Sequence, residues 1–236
     1  MKHSYPFPLA ALAAALLTTP ALAQLTIVNP GFESPNVGLT DISGNDTTPT
    51  GWTAFGSTGR FIVGEDWVGS GSSLIPAASS GDQSFLTNQG IGQNGIYQSI
   101  GTVEANTDYS FSFEVGKRND QPLPAVVEIG LWGDTDDNGV PDTALIELGL
   151  SDIGTPPDGT TGQETMAVIS SSVVNSSTFD SQAIGKDLFF YISTSNSTAG
   201  AHQILFDNVA AIPEPSTTAA LLGGLGLTLV LLRRRR

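Results

Sequence analysis

Wherever the body of the chain has a strong pattern, apolar and polar residues alternate with period two, as in strands with one buried face. Tyr109, Phe111, Phe113 and Val115 alternate with Ser110, Ser112 and Glu114. Residues 126–132 and 188–192 read as two further strands, and 204–209 closes the series. Weaker candidates lie at 25–28, 51–55, 83–86, 96–100, 144–148 and 166–174. No stretch between Leu25 and Ala211 holds a 3.6-residue apolar period over a dozen residues. Clusters of Gly, Ser, Asn, Asp and Pro at 69–73, 78–82 and 154–162 separate the candidates, the last read as a surface loop. About ten short strands with turn-rich connections predict an all-β fold, an antiparallel β-sandwich of one domain.

The two ends follow other patterns. Lys2, an apolar run at 8–17 and Ala21-Leu22-Ala23 have the order of a secretory signal peptide over residues 1–23. At the other end Pro213-Glu214-Pro215 precedes an apolar run at 218–232 and Arg233 to Arg236. As a helix that run spans roughly 22 Å, short of the ~30 Å hydrocarbon core, a deficit that snorkelling arginines can cover. The expected organisation is therefore a signal peptide at 1–23, a β-sandwich at 24–211, and a tail at 212–236 with a transmembrane helix at 218–232. The tail resembles the PEP-CTERM sorting signal of Gram-negative bacteria. That resemblance implies export across the inner membrane, recognition of Pro213, Glu214 and Pro215 by an exosortase, and placement at the cell surface or in the extracellular matrix.

Charge changes the picture once the ends are set aside. The whole chain carries −14, but residues 24–211 hold 22 acidic and 4 basic residues, a net of −18. A body this acidic cannot neutralise phosphates, which argues against nucleic acid as a partner. It suits cations, and any polysaccharide partner is expected to be neutral or bridged by them. With no cysteine, disulfides and thiolate sites are excluded. His202 is the one histidine of the body, so a two-histidine acid–base pair is excluded too.

The order of short motifs carries a second resemblance. Asn29-Pro30-Gly31-Phe32-Glu33-Ser34-Pro35 is followed by Gly51-Trp52, Gly81-Asp82-Gln83-Ser84-Phe85-Leu86 and Ile96-Tyr97-Gln98-Ser99-Ile100. Residues 105–113 and 115–120 complete the run. The series is similar to galactose-binding-like jelly rolls and carbohydrate-binding modules. It implies a jelly roll, and in such modules a structural calcium joins positions matching Glu33 and Asp207. A likeness to the calcium-containing Stig cyclases is one of fold alone, and no residue set in the sequence points to that activity.

Calcium is also suggested by the residues themselves. Asp134, Asp136, Asn138 and Asp142 place side-chain oxygens at positions 1, 3, 5 and 9 of a loop with Gly139 at position 6. Leu145 stands where an EF-hand needs glutamate, so the loop reads as a calcium turn on a hairpin or as a solvated acidic turn. For a ligand, Trp67 reads as exposed on a loop, and Arg118 with Asp120 could hydrogen-bond a sugar, whereas Trp52, Tyr109 and Trp132 read as core. No nucleophile elbow, phosphate loop or dinucleotide turn is present. The expectation is thus a non-catalytic carbohydrate- or exopolysaccharide-binding or structural module, with Ca2+ as its candidate stabilising ion. The alternatives are a carbohydrate-active enzyme using paired carboxylates and a purely structural coat protein.

Overall fold

The computed structural model describes residues 25–68, 74–160 and 165–214. The expected signal peptide and the apolar and arginine segments of the tail lie outside these residues. Eleven strands form: β1 (Thr53–Gly56), β2 (Arg60–Gly64), β3 (Gln83–Gln89), β4 (Gly92–Thr102), β5 (Asp108–Gly116), β6 (Val126–Gly133), β7 (Thr143–Gly149), β8 (Ala167–Ser170), β9 (Val174–Asn175), β10 (Asp187–Asn196) and β11 (His202–Glu214). One four-residue helix, α1 (Leu150–Ile153), follows β7. Among the described residues no helix is long and apolar enough to cross a membrane.

Every pairing between strands is antiparallel. A five-stranded sheet runs β1-β4-β10-β6-β7, and the second sheet runs β2-β3-β11-β5-β8 with β9 also on β5. The expected jelly-roll sandwich is present, and the alternation that predicts it is what fills it. Phe111, Phe113, Ile129, Leu131, Phe190, Ile192 and Phe206 all point into one core. Phe190 meets Phe111 edge-on at 5.7 Å and Trp52 at 6.2 Å, tying the two layers together. Trp52 and Tyr109 are core residues, as expected.

The two outer faces differ. The six-stranded side is covered by the segments before β3 and β8: Val63, Leu86 and Leu205 pack under Ile75, Met166 and Trp67. The outer face of the five-stranded sheet carries aromatic rings. The structure departs from the sequence pattern at three elements. Residues 25–28 form no strand but still donate Thr26 N–H to the Ile100 carbonyl at 2.9 Å. β2 was not foreseen, since its short run begins at a charged Arg60. β11 extends to Glu214, with Pro213 opposite Tyr109 and Glu214 opposite Asp108, so the first two residues of Pro213-Glu214-Pro215 continue the last strand. Pro215 lies outside the described residues.

Candidate active site

β10 is apolar on both faces: Leu188, Phe190 and Ile192 face the core, while Phe189, Tyr191 and Ser193 face outward. Register sets their neighbours. Tyr191 lies between Tyr97 of β4 and Gly130 of β6, and Phe189 between Ser99 and Trp132. Phe55 of β1 lies opposite Gly95 of β4, which in turn lies opposite Ser193. A Cβ on Gly95 would sit 2.5 Å from the Phe55 ring, so the glycine lets that ring lie over the sheet. At Gly130 a Cβ would meet the Ile146 carbonyl and the Glu147 Cα at 3.0 Å, so that glycine lets β7 approach closely beside Tyr191.

The result is a three-ring stack. Tyr191 lies between Phe55, at 5.1 Å and 19°, and Trp132, at 4.3 Å and 30°. Tyr97 adds a tilted contact to Phe55 at 6.1 Å and an edge contact to Phe189 at 5.6 Å. Phe55, Tyr97 and Trp132 remain partly exposed, whereas Tyr191 is 7% exposed. Trp132 therefore corrects the expectation of a core side chain. The regular alternation of β6 buries Val127, Ile129 and Leu131 in the core and so places the indole on the outer face, opposite Phe189.

A polar end adjoins the stack. Gln93 Nε2 donates to Ser193 Oγ at 2.9 Å and lies 3.4 Å from both the Tyr191 hydroxyl and Glu128 Oε2. Glu128 is opposite Ser193, and Glu147 of β7 is opposite Gly130. Desolvation, and then the negative charge of Glu128, raise the Glu147 carboxyl above the ordinary glutamate range. Burial pushes the Tyr191 phenol up to about 12, opposed by its Ser193 hydrogen bond and reinforced by Glu128 and Glu147, so it stays protonated. A flat, electron-rich surface with a protonatable carboxyl at its side can donate a proton and stabilise the cation that results.

The expected metal ligands fall at two other places. Asp207 is fully buried, and its Oδ2 has no hydrogen-bond partner. It pairs across strands with buried Glu114 at a register break that leads into Asn208, where φ is 44°. Burial pushes the Asp207 carboxyl up to about 9, with Glu114 and Glu33 adding to the rise against a backbone bond from Asn208. A Cβ built on Gly31 would meet Asn208 Oδ1 at 3.4 Å, Asp207 Oδ1 at 3.5 Å and Glu33 Cγ at 3.9 Å, so three oxygen-bearing side chains converge on bare backbone. Glu33 also accepts from the N–H groups of Asp82 and Gln83 at 2.9 and 3.1 Å. An orphaned buried carboxylate oxygen in an acidic, all-oxygen setting fits a hard cation.

Asp134, Asp136 and Asp142 form the second place, each offering a ligand oxygen within 4.8 Å of the others. The loop is also self-satisfied. Asp134 accepts from Asn138 and Gly139, Asp142 accepts from Thr135 and Asp136, and Asn138 bonds Asp136 and Val140. Desolvation acts upward on Asp134 and Asp142, but these hydrogen bonds outweigh it and hold both carboxyls below the ordinary aspartate range. The structure thus provides an acidic cluster that could hold a metal, and both readings of the loop stand.

The expected ligand residues do meet, though in a closed arrangement. Arg118 Cζ lies 5.0 Å over the Trp67 ring, and the guanidinium forks onto Asp120 at 2.9 and 3.0 Å. Arg118 is buried and Trp67 is partly buried beneath it, so the trio fastens a loop to the sandwich. The other three basic residues of the body are also paired, Arg60 with Asp46, Lys117 with Asp158 and Lys186 with Asp137.

Fold and site together define a jelly-roll protein with an open aromatic face flanked by acids. The chain belongs to the HpiC1-like family, described as HpiC1 cyclase, whose model matches residues 23–210. Solved structures of similar fold include a cyclase from Fischerella sp. TAU, with 17% identity over 81% of this chain and 96% of that one and a TM-score of 0.60. A complex of such a cyclase with 4-(1H-indol-3-yl)butan-2-one has 16% identity over 83% and 100% of the chains, at 0.59. A Stig cyclase, Fisc, with (3Z)-3-(1-methyl-2-pyrrolidinylidene)-3H-indole has 19% identity over 81% and 97%, at 0.60. No curated protein matches.

Membership of a cyclase family overturns the expectation of a non-catalytic binding or structural module, and with it the expectation that the chain is not an enzyme. The physical reason for the error is that the site lies on one sheet face drawn from four strands, β1, β4, β10 and β6, with Glu147 from a fifth. Phe55, Glu128, Glu147 and the Phe189–Tyr191 pair are far apart in sequence, and none belongs to a linear motif. The one local signal was β10, whose apolar run covers both faces although the sandwich has only one core.

Proposed function

We propose that the chain is a cyclase that closes a ring on a flat aromatic substrate held against the outer face of the five-stranded sheet. The observation that carries this is the Phe55–Tyr191–Trp132 stack with Glu147, its carboxyl raised toward the protonated form, beside it. The complexes of similar proteins with indole compounds support an indole-like aromatic substrate, and the proposed reaction requires that it bear an alkene. Glu147 donates its proton to the alkene, and the electron-rich rings stabilise the carbocation. The aromatic ring of the substrate attacks the cation to form the new carbon–carbon bond. Loss of a ring proton to the carboxylate restores aromaticity and regenerates the acid. The product is an isomer of the substrate, so incubation with 3-alkenylindoles should yield a new compound of unchanged mass, resolved by chromatography. Recovery of every such substrate unchanged would sink the reading.

Calcium belongs to the same proposal as a structural ion. Asp207 and Glu33 would hold it, neutralising the buried carboxylate and joining the first segment to the last strand. The Asp134, Asp136 and Asp142 loop is the second candidate. Export and envelope placement, with an exosortase acting on the tail, are likewise proposed from the order Pro213-Glu214-Pro215, apolar run and Arg233 to Arg236.

A further inference from the structure

We infer that the substrate of the aromatic face carries a positively charged nitrogen, seated at Glu128; this rests on the aromatic face being the substrate site. Charge is the first ground. The body has four basic residues, and each is paired with an aspartate elsewhere in the fold: Arg60 with Asp46, Lys117 with Asp158, Arg118 with Asp120, and Lys186 with Asp137. None of those ion pairs includes Glu128 or Glu147, so among the described residues the two acids of this face have no protein cation against them. An anionic substrate meets only repulsion here, and a neutral one adds no opposite charge to the single long Gln93 amide contact that Glu128 has among the described residues, at 3.4 Å.

Ring geometry is the second ground. Aromatic faces carry negative quadrupole density, and partly exposed Phe55, Tyr97 and Trp132 surround the outer side of β4, β10 and β6. Rings combined with a carboxylate suit an ammonium or other protonated nitrogen, which takes a charge-assisted bond on one side and ring faces on the other. The Gln93 amide lies within 3.4 Å of Glu128 Oε2, Tyr191 Oη and Ser193 Oγ, so the carboxylate is held at the end of the stack. Glu128 and Glu147 then have separate tasks: Glu128 anchors the charged nitrogen, and Glu147, opposite Gly130 beside Tyr191, is the proton donor of the proposed reaction. Desolvation is the larger cause of the raised Glu147 carboxyl, and it persists when Glu128 is neutralised by the substrate.

Tryptamine and tryptophol are nearly the same size and differ in charge, so titration calorimetry of the full chain with each separates the possibilities. The expected result is tryptamine binding at least about tenfold tighter than tryptophol. Glu128→Gln should bring the two to parity while leaving tryptophol affinity unchanged, with the variant's melting midpoint checking that it folds. Equal affinities in the native chain, or a tryptamine preference that survives Glu128→Gln, overturns the charged-nitrogen inference alone, provided Phe55→Ala or Trp132→Ala weakens both probes. If neither probe binds, or neither ring substitution weakens binding, the aromatic face is not the site and both readings fall.

Discussion

In the metal-free chain Asp207 holds its proton into the neutral range, because burial, more than neighbouring Glu114 and Glu33, pushes its carboxyl up to about 9. In the unfolded chain the same group titrates near ~3.9. The folded chain therefore keeps a proton that the unfolded chain releases. The contribution to stability is full below about pH 4 and is lost as pH rises through about 9. Inside that window each unit removes about 1.4 kcal/mol, so the step from pH 5 to pH 8 removes about 4 kcal/mol. Asp207→Asn has the same shape and does not titrate, so the variant lacks this slope. Glu65 and Glu147, whose carboxyls are also raised, titrate in both proteins and cancel from the difference. The assay is urea unfolding of the native chain and the variant in chelator at pH 5, 6, 7 and 8, followed by tryptophan fluorescence. Millimolar calcium should then stabilise the native chain more at pH 8 than at pH 5, since a ligand of the folded state adds RT ln(1 + [L]/Kd). The variant should show little of that gain. A native chain whose stability runs parallel to the variant's from pH 5 to pH 8 would refute the buried-carboxylate reasoning. An equal calcium response in both would refute Asp207 as a ligand.

Two further substitutions test the fold and the second acidic place. Phe190→Ala removes the ring that meets Phe111 and Trp52 between the sheets and should cost about 3–5 kcal/mol in denaturant unfolding. Asp134 and Asp142 are held below the ordinary aspartate range, so the stability they add is present at neutral pH and lost as pH falls below about 4. Asp134→Asn with Asp142→Asn should therefore flatten the acid limb of the melting midpoint between pH 4 and pH 2, and an unchanged limb would show that the loop's hydrogen bonds do not stabilise the fold.

The sandwich was legible because alternation and turn chemistry are local. Tyr109 to Val115 shows its buried face in seven residues, and the structure places that face in the core. Acidic spacing also survived: Asp134, Asp136 and Asp142 come together because they share one turn. The aromatic face was hidden for the opposite reason. Trp132 looked like core because its strand is apolar, but the alternation that buries Val127, Ile129 and Leu131 turns it outward. Glu128 and Glu147 are ordinary outward-facing acids in sequence. They become neighbours of Tyr191 through the β10-β6-β7 pairing, a long-range contact that no window of residues contains.

Deuterium incorporation tests the central claim most directly. The full chain is incubated with a 3-alkenylindole in D2O, and product is followed by mass spectrometry for the native chain and for Glu147→Gln. Proton delivery to the alkene by an exchangeable carboxyl, followed by loss of a ring hydrogen, predicts a cyclised product one mass unit heavier than in H2O. Its rate of formation should fall at least about a hundredfold in Glu147→Gln. A cyclised product without carbon-bound deuterium, or a variant as fast as the native chain, would contradict acid-initiated cyclisation at this face.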